Sequence, residues 1–107
     1  MSDRRTLEID LSPSGAQTGN GSNQPVNLSA FTEALLFVHV TAITGTLDLD
    51  FKVGPESDDV NYIHTEPAQI SAPGYYLTKL TNIGPWGALA WAPSSSATFT
   101  AKLVGKN

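Results

Sequence analysis

The chain has 107 residues, no cysteine and a formal net charge of −4, which confines it to one hydrophobic core without disulfide staples or thiolate metal sites. An apolar share of 40% against a charged share of 15% belongs to a globular and not a disordered protein. The six basic residues are mostly scattered, which argues against a phosphate-tracking surface and hence a nucleic-acid partner, and no stretch reaches the roughly 20 apolar residues of a membrane span.

Residues 1–5, Met-Ser-Asp-Arg-Arg, lead into alternating polar and apolar residues in place of an apolar run, so no secretory signal is expected and synthesis in a cytoplasm is. Leu7, Ile9 and Leu11 then alternate with Glu8 and Asp10, the period of a strand with one buried face. Ser12 to Gln24 is rich in Gly, Ser, Asn and Gln around Pro13, offers little to bury, and is expected to be a long flexible loop or arm joint. Residues 1–24 thus form a strand or arm with its loop, and residues 25–107 a sandwich domain whose single core takes in the strand at 5–11.

Pro25 to Phe31 predicts a short strand with Val26, Leu28 and Ala30 on one face. Glu33 to Ala42 is the most apolar segment. Leu36, Val38 and Val40 oppose Leu35, Phe37 and His39, as in a strand covered on both faces. Ser29 and Glu33 would also suit a helix over 29–37, but the continuation Val38-His39-Val40-Thr41 favours a strand. After a turn at 43–46, Leu47, Leu49, Phe51 and Val53 alternate with Asp48, Asp50 and Lys52 in the cleanest half-buried pattern of the chain. Further strands are expected at 60–65, 69–71, 74–81, 87–92 and 97–104, separated by Gly and Pro. About eight short strands without a convincing helix describe an all-β antiparallel sandwich or jelly roll.

No catalytic set emerges, so no enzyme and no cofactor are expected. His39 and His64 lack a second His or Cys at ligand spacing and read as packed or edge histidines. Asp48 and Asp50 project from one strand face and could grip a hard cation, with Glu56, Asp58 and Asp59 as a second oxygen-rich stretch. Neither has the spacing of a calcium-binding hand, and a solvated face is the simpler reading. Gly19-Asn20-Gly21 begins like a phosphate-binding turn but has Gln24 where its third glycine should stand. Tyr62, Tyr75, Tyr76, Trp86 and Trp91 invite aromatic recognition, with Trp91 and one tyrosine of the pair assigned to the core by alternation. Tyr75, Tyr76 and Trp86 are the aromatic surface candidates.

Ala34-Leu35-Leu36-Phe37-Val38-His39-Val40-Thr41-Ala42, Gly45-Thr46-Leu47-Asp48-Leu49-Asp50-Phe51, Glu56-Ser57-Asp58-Asp59 and Ala97-Thr98-Phe99-Thr100-Ala101-Lys102-Leu103-Val104 together resemble small capsid decoration, or cement, proteins of tailed bacteriophages. The resemblance covers residues 30–104 and includes an aromatic residue, Tyr62, soon after the acidic serine loop. It implies a β-sandwich that gathers as a homotrimer on the virion surface, with the major capsid protein as partner and capsid stabilisation as its role. Arg4, Arg5, Pro13, Asn20 and Gln24 are then the candidate capsid-contact residues. The alternative is a carbohydrate- or receptor-binding module of a tail fibre or baseplate.

Overall fold

A computed structural model describes residues 6–106, with side chains from residue 8 onward. The described chain is all-β: β1 (Thr6–Asp10), β2 (Gly21–Ser22), β3 (Val26–Asn27), β4 (Glu33–Thr44), β5 (Leu47–Gly54), β6 (Tyr62–Thr65), β7 (Gly74–Thr81), β8 (Trp86–Pro93) and β9 (Ser96–Lys106). It contains no helix long and apolar enough to cross a membrane. Two antiparallel sheets pack face to face, sheet A in the order β1-β9-β4-β7 and sheet B in the order β2-β8-β5-β6, with β3 also pairing β8.

Alternation puts one face of every long strand into a common core. Leu36, Val38, Val40, Phe99, Ala101 and Leu103 point inward from sheet A, and Leu47, Leu49, Phe51, Leu89 and Trp91 meet them from sheet B. Each fully buried Leu or Phe contributes about 1.5–3 kcal/mol. Among the described residues no polar or charged residue is buried, so apolar contact joins the two sheets across the core while the strand ladders hold each sheet together. A register shift between Val40 and Ala42 adds one residue to β4, which returns Ile43 to the core side opposite Ala97.

Two hydrogen-bonded clasps close the sides of the sandwich. On one side Gln17 exchanges backbone hydrogen bonds with Ala97 of β9, while its Oε1 accepts from Trp91 Nε1 of β8 at 3.2 Å. On the other side β6 shifts register between the partners of Phe51 and Lys52, which re-aims His64, and its Nε2 lies 2.5 Å from the carbonyl oxygen of Thr81 in β7. A carbonyl only accepts, so Nε2 carries the proton, and Nδ1 takes the Thr65 hydroxyl at 2.6 Å.

The structure departs from the expected pattern in several places. Ser12 to Gln24 is not a bare loop: Leu11 just before it is buried, Gln17 bridges to Ala97, and β2 pairs with Ala90 and Trp91. The segment is held by backbone bonds and by the polar side chains of Ser12, Gln17 and Asn23, and not by apolar burial, which is why its composition conceals it. The strand expected at 25–31 shrinks to β3, after which Leu28 and Phe31 turn into the core while Ala30 is exposed. Only Ile70 of 69–71 pairs, bridging to Leu47. β4 is buried on one face alone, its other face being half-buried or open.

Candidate functional site

The sequence candidates do not form one site. Arg4 and Arg5 lie outside the described residues. Pro13 is half-buried, whereas Asn20 and Gln24 are exposed at separate points of the segment leading from β1 to β3. Tyr75 and Tyr76 are neighbours on β7 and therefore project to opposite faces. Tyr76 packs against the core, with its hydroxyl donating to the Ala72 carbonyl at 2.6 Å, so its place among the surface aromatics is corrected. Trp86 is half-buried on sheet B, opposite Asn27 and Gly54. Tyr75 alone of the three is a largely exposed ring, at 83%.

Tyr75 belongs to a larger patch on the outer face of sheet A. Register places His39 beside Tyr75, Phe37 beside Leu77 and Leu35 beside Lys79, with Thr100, Lys102 and Val104 following across β9. The His39 and Tyr75 rings stack with centroids 4.1 Å apart and planes within 10°. Leu77 is 61% exposed and Phe37 43%. A shallow groove of about 260 Å³ runs over Phe37, His39, Tyr75, Thr100 and Lys102, and a second of about 360 Å³ runs over Leu35, Lys79 and Val104. At the edge of this face Lys102 pairs with Glu8 at 3.1 Å and Lys106 with Glu33 at 3.0 Å. Hydrogen bonds from Ser12, and then the nearby Lys102, hold the Asp10 carboxyl below its ordinary pKa. Nothing in the alternation marked Phe37 and Leu77 as exposed, because an apolar residue on a strand reads as core unless its sheet is known to be covered on one side only.

Two further apolar side chains are exposed along the edge strand β6, Tyr62 at 59% opposite Val53 and Ile63 at 55% opposite Lys52 of β5, projecting to opposite faces of the strand. Sheet B also carries a polar groove of about 420 Å³. Its floor is Ala88, Ala90 and Ala92, and Asp48, Asp50 and Lys52 stand beside them across the β5–β8 ladder. Asn20 and Asn61 stand at the sides. The Asp48 carboxylate accepts from Gln69 Nε2 at 3.0 and 3.3 Å. No group of three or more His, Cys, Asp or Glu side chains is placed to hold a metal ion among the described residues. His39 and His64 are occupied by a ring stack and a clasp respectively.

No protein-family model matches the chain, and no curated protein matches it at a significant level.

Proposed function

We propose that this chain is a structural binding module of a tailed-phage virion, which attaches to the major capsid protein and reinforces the shell as a homo-oligomer. The observation that carries the reading is the exposure of large apolar side chains at two separate places on one sandwich, Phe37, Tyr75 and Leu77 on the face of sheet A and Tyr62 with Ile63 along the edge strand β6 of sheet B. Two such separate places let a copy touch two partners at once. Contacts that are weak singly become tight attachment through effective concentration when several copies engage one lattice. The resemblance of residues 30–104 to decoration proteins supports the capsid as that lattice.

The purified protein mixed with undecorated, expanded capsids of its own phage should cosediment with them, saturating at a fixed ratio to capsid subunits. Absence of saturable binding overturns the reading. The alternative, a glycan-reading module of a tail fibre or baseplate, is favoured by one feature: the open face of Tyr75, backed by His39, is a flat platform of the kind that sugar rings stack on. Glycan binding that is abolished by Tyr75→Ala, together with no capsid binding, would replace the first reading with the second.

A further inference from the structure

Among the described residues, the exposed apolar face of sheet A has a charge pattern that the rest of the sandwich lacks. Its ladder brings together Glu8, Asp10 and Glu33 from β1 and β4 and Lys79, Lys102 and Lys106 from β7 and β9, three acids against three lysines. Sheet B and the loops around it hold Asp48, Asp50, Glu56, Asp58, Asp59 and Glu66 against Lys52 alone. The net negative charge of the described residues is therefore carried by one side of the sandwich. A second copy approaching sheet B meets like charge, which costs association energy. A second copy approaching sheet A meets a face without net charge, on which Lys102 and Lys106 are paired with Glu8 and Glu33, so no like-charge repulsion opposes the contact.

We infer that the outer face of sheet A is where copies of this chain meet each other. The face mixes apolar and charged groups as protein interfaces do: Leu35, Phe37, Tyr75, Leu77 and Val104 form an apolar band along β7, β4 and β9, with Lys102 beside Phe37 and the acids of β1 on the far side. Its size is sufficient. Four strands spaced about 4.8 Å apart and the eight residues of β7 at about 3.4 Å each outline about 500 Å² per copy, hence about 1,000 Å² for a pair, where specific interfaces begin. Tyr75 supplies a rigid aromatic anchor already held against His39, so little side-chain freedom is lost when it is covered. This inference deepens the reading of a multivalent module and rests on it only for the need for more than one copy. It leaves the acidic side and the β6 edge free for a different partner.

The test is the mass of the purified full-length chain in solution at about 100 µM, by sedimentation equilibrium, a concentration that reveals dissociation constants tighter than about 100 µM. The wild type should run at two or three times the chain mass. Leu77→Asp, and independently Tyr75→Ser, should weaken association at least about tenfold while far-UV circular dichroism stays that of the wild type. Tyr62→Asp on β6 should leave the association intact. A monomeric wild type, association indifferent to both sheet A variants, or equal loss in Tyr62→Asp overturns the inference. Capsid binding is scored separately. Self-association through sheet A without capsid binding retains the interface and rejects the virion role, whereas saturable capsid binding by a monomeric chain does the reverse.

Discussion

Gly105 lies in β9 directly beneath the Phe31 ring, and an added methyl group there would sit 2.8 Å from Cγ and 2.9 Å from Cδ1 of that ring. Ordinary contact begins at 3.4 Å, so Phe31 must retreat by about 0.6 Å or more. The ring is almost fully buried against the sandwich and cannot retreat without opening a gap elsewhere. Overpacking of this kind costs about 1–3 kcal/mol. Gly105→Ala should accordingly lower the melting temperature by about 5–20 °C, at about 4–8 °C for each kcal/mol in a domain of this size. The physical claim is a coupling, so the decisive assay is a double-mutant cycle by thermal or urea denaturation followed by circular dichroism. In a Phe31→Ala background the methyl group has room, and Gly105→Ala should become neutral or mildly stabilising because it also restricts the unfolded chain. A coupling energy of about 1–3 kcal/mol is expected. Additive penalties within about 0.5 kcal/mol would refute the idea that Phe31 needs the bare backbone of Gly105.

Phe51→Ala removes a fully buried ring from the centre of sheet B and should cost about 3–5 kcal/mol, seen as a large drop in the urea midpoint. Gln17→Ala opens the clasp to Trp91 Nε1, and Trp91→Phe opens it from the other side. Each should cost about 0.5–1.5 kcal/mol for the lost bond before any packing change, and the two should be non-additive in a double-mutant cycle. Asp10 has its folded pKa depressed, so its stabilising contribution is complete above the ordinary aspartate value near about 4 and fades as pH falls through the lower folded value. The melting-temperature gap between wild type and Asp10→Ala should therefore be widest near neutral pH and narrow below about pH 4. A gap that widens in acid would contradict the Ser12 and Lys102 contacts as its cause.

How far the amino-acid order alone revealed this molecule depended on whether a residue's fate is decided by its own strand or by its neighbours. β5 is readable because Leu47, Leu49 and Phe51 are inward and Asp48, Asp50 and Lys52 outward, a separation that needs no knowledge of the partner strands. β4 is different: Leu35 and Phe37 are as apolar as Leu36 and Val38, and only the lack of a third layer over sheet A leaves them open. The Ser12 to Gln24 segment was opaque for another reason, since its attachments at Gln17, Gly21 and Ser22 run mostly through backbone groups that every residue possesses. Tyr75 could be singled out as a surface aromatic, and Tyr76 beside it could not be excluded without the sheet. The division of charge between the two faces was invisible, because it arises only when β1, β4, β7 and β9, distant in the chain, are gathered into one sheet.

Where a core contains no buried polar side chain, nothing inside it but shape can tell one alignment of the sheets from another. Here shape is supplied by hollows: the absent side chain of Gly87 receives Leu28 and Phe51, as that of Gly105 receives Phe31. A saturating mutational library of this chain should thus show wide interchange among aliphatic residues at Leu36, Val38 or Leu103, and a loss of stability with every replacement at the two glycines. The positions with the least chemistry would prove the least replaceable.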